Sequence, residues 1–151
     1  MSEKKIVGIT MGDPASIGPE ITVKAFADKS LYDLCNTVVV GDASVMEAAL
    51  PIVGHTEMKI NAIKDVSEAK YEYGTIDVLD MGLVDMAQLK RGEVSAMCGD
   101  AAFKYVTKVI ELAMDKKVDA TVTNAFNKEA VNLAGHHYSG HTEIYADMTG
   151  T

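Results

Sequence analysis

Short apolar runs, each closed by turn formers and followed by helical spacing, recur along the whole 151-residue chain, and this alternation limits what it can fold into. Lys5 to Met11 carries Ile6, Val7 and Ile9 and runs into Gly12-Asp13-Pro14. Thr37 to Val40 ends at Gly41-Asp42, Ile76 to Leu79 ends at Asp80, and Val118 to Val122 gives way to the polar Thr123-Asn124. Runs of this length, rich in β-branched residues, read as buried strands. Lys59 to Ile63 is a further candidate, and Ser67 to Tyr73 is a polar connection or a short helix. Between the strands, Gly18-Pro19 opens a helix through Ala27, with Ile21, Ala25 and Val23 on its core side. Ser44 to Leu50 forms another, cut off by Pro51. Ser95 to Lys116 is the strongest, with Ala102, Tyr105, Val106, Val109, Ile110 and Ala113 at helical spacing. Lys128 to Ala134 follows, stopped by Gly135 at the C′ position. The expected architecture is α/β: a three-layer α/β/α domain around a mixed or parallel sheet. No GxGxxG follows any of these strands, so it is not a Rossmann dinucleotide fold.

In open sheets of this kind ligands gather at the carboxyl ends of the strands. Thr123, Asn124, Asn127 and Lys128 follow the Val118 strand, where hydroxyl, amide and ammonium donors could meet an anion. Lys128 reads equally as a surface lysine in a first helical turn. Pro14 disfavours helix for Asp13 and holds its carboxylate extended; that carboxylate either caps its own turn or faces a bound cofactor. His141-Thr142 follows Gly140 and precedes Glu143, and an imidazole beside a hydroxyl can donate to a phosphate or carboxylate. The same residues also read as a helix start in which Thr142 caps and Glu143 complements the dipole.

Other features read as structural. His136 and His137 are adjacent, so their side chains diverge and do not easily ligate one metal. His55, beside Thr56 and Glu57, reads as a solvated loop histidine, and Met97 and Met114 as core gap-fillers. Gly99 in the long helix marks a close packing contact or the close approach of a ligand. Asp80 to Glu93 has the length of a functional or subunit-contact loop.

Composition narrows the function. A content of 48% hydrophobic and 24% charged residues is that of a globular domain with a sizeable core. A net charge of -8 without a basic cluster argues against nucleic-acid partners, so an anionic substrate needs a local donor site. No apolar run reaches the roughly 18 residues that span a bilayer, and no signal peptide precedes Ile6, which predicts a cytoplasmic protein without a membrane partner. Cys35 and Cys98 lack CxxC spacing and are expected as reduced, partly buried thiols.

TNAFNKEA followed by LAGHHYSGHTE, together with the opening VGITMGDPASIGPEI, resembles the 4-hydroxythreonine-4-phosphate dehydrogenase family of vitamin B6 biosynthesis, whose relatives act on phosphorylated four-carbon sugar acids. The resemblance runs from about Ile6 to Thr149; Ser16 stands where a Gly is usual, and Asn124-Ala125 replaces a small residue followed by Pro. It implies an isocitrate-dehydrogenase-like fold, a homodimer, and oxidation with decarboxylation of a small phosphorylated hydroxy acid by NAD or NADP. It also implies a divalent metal (Zn, Mg or Co) whose ligands are expected beyond this chain, and substrate contacts at His141 and Thr142. Family members are about twice this long. Residues 1–151 are therefore expected to be the amino-terminal portion of a two-domain dehydrogenase, inactive in isolation. Two other readings stay open: a phosphate acyltransferase-like enzyme, and a non-catalytic ligand-binding or dimerisation fragment.

Overall fold

The structure, a computed structural model, describes residues 4–124, 126–138 and 140–150. Five strands form one sheet: β1 (Ile6–Thr10), β2 (Asn36–Gly41), β3 (Lys59–Ile63), β4 (Thr75–Asp80) and β5 (Ala120–Thr123). Their order is β3-β4-β2-β1-β5 and every pairing is parallel. The sheet is thus the purely parallel form of the expected architecture. Parallel neighbours need crossovers, and these are supplied by α1 (Gly18–Phe26) with α2 (Lys29–Leu34), α3 (Ala43–Ile52), a 3-10 turn at Val66–Glu68, and α4 (Ala96–Met114). α5 (Lys128–Leu133) and α6 (His141–Thr149) follow β5.

The crossovers through α1, α2 and α3 step one way across the sheet, and the crossover through α4 steps back past β2 and β1 to β5. Because such connections are right-handed, the two sets fall on opposite faces. β2, in the middle, shows the consequence: Val38, Val39 and Val40 are all fully buried, covered from both sides. Among the described helices, none is long and apolar enough to cross a membrane. Cys35 is half-buried and Cys98 buried, both as free thiols.

Several expectations change. α1 buries Thr22, Val23 and Phe26, whereas Ile21 is 46% exposed and Ala25 is exposed. The polar Thr22 takes a core position because its hydroxyl donates to the Gly18 carbonyl at 2.8 Å. Val118 is buried ahead of β5, but β5 itself is the sheet edge and Val122 is 51% exposed, so it is not a buried strand. Met114, at the end of α4, is exposed instead of filling the core. Helix α2, capped by the Asp28 side chain through Ser30 N–H, has too few apolar residues to show in the hydrophobic pattern.

α4 is the spine of the second layer, with Ser95 accepting from Cys98 N–H at its start. Its buried stripe includes Ala102, Tyr105, Val106, Val109 and Ile110, as the spacing predicts. Tyr105 carries a hydroxyl into the core and donates it to Asp42 at 2.6 Å, and Asp42 also accepts from Val84 N–H at 2.8 Å. Gly99 lets α5 lie against α4: a Cβ there would collide with the backbone carbonyl of Ala130. Alanine normally favours a helix over glycine by about 1 kcal/mol. At Gly99 the sign should reverse, and Gly99→Ala is expected to lose about 1–3 kcal/mol through overpacking, read as a lower urea midpoint. A stability equal to or above the parent would show that α5 can step back at no cost.

Candidate functional site

β1 and β5 end side by side, with Thr10 in register with Thr123, and the two sequence motifs meet there. Beyond β1 the chain turns at Gly12, whose φ of 82° suits a residue without a Cβ. Ala15 N–H then donates to Asp13 Oδ1 at 2.8 Å and Ser16 N–H to the Asp13 carbonyl at 3.0 Å. Asp13 does cap its own turn. It is also only 2% exposed, and burial pushes its carboxyl above the ordinary value, with the Ala15 N–H only partly opposing.

Asp13 lines a cavity of about 300 Å³ together with Ser16, Glu20, Arg91 and Asn127. The long loop after β4 lies across it: Gly92 N–H donates to the Ala15 carbonyl at 2.7 Å, and Arg91 pairs with Glu20 at 3.3 Å. The loop is thereby fastened to the Gly-Asp-Pro turn. Arg91 was not visible as a site residue from sequence; its position next to Gly92 in a long loop was the one available signal.

On the β5 side Asn124 is a joint. Its backbone N–H donates to Thr10 Oγ1 at 3.0 Å, and its side-chain amide donates to the Thr10 carbonyl at 2.9 Å and to Thr22 Oγ1 at 2.8 Å. Those donors are therefore taken up within the protein instead of facing an anion. Asn127 caps α5 by accepting from Ala130 N–H at 3.0 Å, while Lys128 is exposed at the first position of that helix. Ala125 and Ser139 lie outside the described residues.

α6 begins with His141, Thr142 and Glu143 after Gly140, so the helix start read from the sequence is present. Its N-cap residue is Gly140, not Thr142, and Thr142 is exposed. The first N–H groups of such a turn have no intrahelical acceptor. The His141 ring packs against Phe126 with centroids 4.2 Å apart and is hydrogen-bonded to the Asn124 backbone. Its Nε2 is buried without a partner. Burial holds the imidazole below its ordinary pKa, outweighing the Asn124 bond, so it is neutral at neutral pH with one ring nitrogen open.

The adjacent histidines do diverge: His137 is exposed, and His136 turns onto α4, where Nε2 meets Asp100 Oδ1 at 2.8 Å. His55 contacts Glu57 at 3.0 Å in its loop. Among the described residues no three His, Cys, Asp or Glu side chains converge as a metal-ligand set.

The buried Asp13 charge sets up a pH-dependent prediction. A carboxyl whose folded pKa is raised stabilises the fold only in its protonated form, and that contribution is lost as pH rises through the folded value. Asp13→Asn keeps the acceptor for Ala15 and removes the charge. It should raise the melting temperature at pH 7, with the difference vanishing below the ordinary carboxyl value of 3.8. A melting temperature lowered at pH 7 would mean that Asp13 has a charged partner near the cavity.

The family model for pyridoxal phosphate biosynthetic protein PdxA matches residues 33–151. A Halalkalibacterium halodurans protein named "Putative D-threonate 4-phosphate dehydrogenase" is 49% identical over 151 residues, 100% of this chain and 45% of that protein. A Fusobacterium nucleatum protein of the same name is 47% identical over 145 residues, 96% of this chain and 43% of its own length. The chain thus spans about half the length of the curated relatives it matches. Among solved structures, a 4-hydroxythreonine-4-phosphate dehydrogenase from Burkholderia phymatum superposes with a TM-score of 0.95 at 48% identity, over 99% of this chain and 45% of that one. A terephthalate 1,2-cis-dihydrodioldehydrogenase from Burkholderia xenovorans shares the fold at a TM-score of 0.71 and 29% identity, covering 90% of this chain and 38% of that one. With the match extending over Asn124, His141 and Thr142, this chain belongs to the family of pyridoxal phosphate biosynthetic protein PdxA.

Proposed function

We propose that residues 1–151 form the amino-terminal part of a two-domain, cytoplasmic, homodimeric dehydrogenase that oxidises a small phosphorylated hydroxy acid, 4-phosphooxy-threonine or a four-carbon analogue. The observation that carries this reading is the open Nε2 of His141, set beside the exposed Thr142 at a helix start whose N-cap residue is Gly140. Imidazole, hydroxyl and first-turn N–H groups together make a local donor site for an anion on a chain of net charge -8. The names of the relatives support the substrate class.

In the proposed reaction the secondary alcohol β to the carboxylate gives a hydride to the nicotinamide of NAD or NADP and its hydroxyl proton to solvent. The resulting β-keto acid then loses carbon dioxide. The cavity beside Asp13 has room for one part of a dinucleotide, with Asp13 and Asn127 on its wall. Thr123 and Lys128 lie nearby at the end of β5 and the start of α5, as further candidate contacts. The divalent metal (Zn, Mg or Co) that the resemblance implies finds no ligand set among the described residues, so no step is assigned to it. Exposed apolar side chains such as Val122 and Leu133 are consistent with surface that a second domain or subunit would cover.

His141→Ala in the full-length enzyme should lower kcat/KM about tenfold or more, on the order of 1.5–3 kcal/mol for a charge-assisted hydrogen bond, with little change in melting temperature. The pH dependence has a defined sign. In the free protein His141 is neutral, and donating Nε2–H to an anion requires taking up a proton. Affinity for the phosphorylated substrate should therefore weaken as pH rises through neutrality, and this slope should flatten in His141→Gln. Unaltered kinetics in His141→Ala would end this reading. The 151-residue chain alone should show no NAD(P) reduction under the conditions in which the full-length protein does.

A further inference from the structure

The segment between α5 and α6 is held by contacts that the proposed substrate site does not itself use. After Gly135, whose φ of 94° ends α5, His136 N–H donates to the Val131 carbonyl at 3.1 Å and the chain turns toward α4. There the His136 imidazole lies flat on Phe103, with centroids 3.8 Å apart and planes 8° from parallel, while its Nε2 meets Asp100 Oδ1 at 2.8 Å. Asp100 Oδ2 is engaged by Lys104 at 2.9 Å, one turn further along the same helix, so the two carboxylate oxygens are divided between two partners. Phe103 also stacks on Tyr138 at 5.5 Å, and the Tyr138 hydroxyl donates to Asp147 of α6 at 2.6 Å.

These contacts are made by residues just ahead of the amino-terminal end of α6. Its middle is anchored by the fully buried Ile144 and by Tyr145, whose hydroxyl is 2.7 Å from Thr121 Oγ1 on β5. At its start the N-cap residue, Gly140, offers no side chain of its own. The Asn124 bond and the Phe126 contact orient the His141 ring, yet neither fixes the backbone of Thr142.

We infer that Asp100 and His136, backed by Phe103, are positioning residues for the substrate site: they clamp the segment before α6 against α4 and so set where His141 and Thr142 are presented. The inference rests on the reading of His141 and Thr142 as substrate contacts. It assigns a purpose to His136, which joins no metal-ligand set among the described residues. The Nε2 of His136 is taken by Asp100, whereas the Nε2 of His141 has no partner. A displacement of about 1 Å in such contacts is enough to cost on the order of a hundredfold, so a clamp several residues away can matter to catalysis without touching substrate.

The test uses the full-length protein with His136→Ala, His136→Gln, Phe103→Leu and His141→Ala in parallel. Two readouts are taken: KM for the phosphorylated hydroxy acid against KM for the dinucleotide, and amide hydrogen exchange of the peptide covering Gly140 to Glu143. His136→Ala should raise the substrate KM about fivefold or more while the dinucleotide KM and the melting temperature stay near the parent. Exchange at the start of α6 should accelerate on its own. His136→Gln, which can place an amide N–H where Nε2 stood, should restore both. If His136→Ala does not fold, Phe103→Leu, which removes the stacking platform but keeps an apolar side chain, should give the same pair of changes. A raised KM in His141→Ala with parent-like KM and exchange in the His136 and Phe103 variants would overturn the clamp and leave the substrate site standing. A parent-like KM in His141→Ala would overturn the substrate site instead, and local exchange would then judge the clamp alone. A uniform rise in exchange, with both KM values and the melting temperature disturbed together, would overturn it in favour of general packing.

Discussion

Asn124 holds the site together. Its three hydrogen bonds tie the end of β5 to the last residue of β1 and to the middle of α1, and its backbone holds the His141 ring. The Gly-Asp-Pro turn leaves β1, and the His141 helix follows β5, a four-residue strand that pairs with β1 at the sheet edge. An edge strand that short contributes few ladder bonds, so its register depends heavily on what its end is fastened to. Thr22 is the other half of the joint. A buried hydroxyl that donates to its own helix and accepts from Asn124 is satisfied on both sides, which makes a polar residue tolerable at a core position.

The surroundings of the two candidate ligand regions are electrically different. Near Asp13, burial raises a carboxyl and the adjacent guanidinium of Arg91 is already committed to Glu20, so that cavity presents acceptors more than free positive charge. Such a wall suits hydroxyl and amide donors. Near His141 there is a ring nitrogen that can donate once protonated, an exposed hydroxyl and the positive end of a helix, which suits an anion. The dehydrogenase proposed above would have both kinds of group to bind: a dinucleotide with ribose hydroxyls and a small polyanionic substrate. The separation of the two environments follows from the folding of two motifs onto neighbouring strand ends.

How much of this the sequence carried depends on the range of the interaction. The strands, the long helix α4 and the helix starts are written in local periodicity and capping chemistry, and they appear where the spacing puts them. The Asp13 turn is local as well, spanning two residues. What failed was contextual. Val122 has the composition of an interior strand residue, but exposure is decided by whether another strand lies beyond it. Ile21 is more apolar than Thr22, yet the helix is rotated so that Thr22, Val23 and Phe26 face inward, because Gly18 packs against the Met11 carbonyl and Asn124 reaches Thr22 from 102 residues away. No window-based reading contains that partner. The same holds for Asp100, 36 residues from His136.

The two neighbouring histidine sites show how one residue type is given opposite duties by its second nitrogen. His136 has a carboxylate on Nε2, a stacked aromatic face and a backbone tie, all of which hold it in place. His141 spends one nitrogen on a backbone acceptor and keeps the other unpaired at the cost of desolvation. A buried polar atom without a partner costs on the order of 1–3 kcal/mol. A fold that needed His141 only as packing could remove that cost with an apolar ring or offset it with a neighbouring hydroxyl. Retaining the open nitrogen beside Thr142, while the Nε2 of His136 is taken by Asp100, is the arrangement expected if an incoming ligand supplies the missing partner.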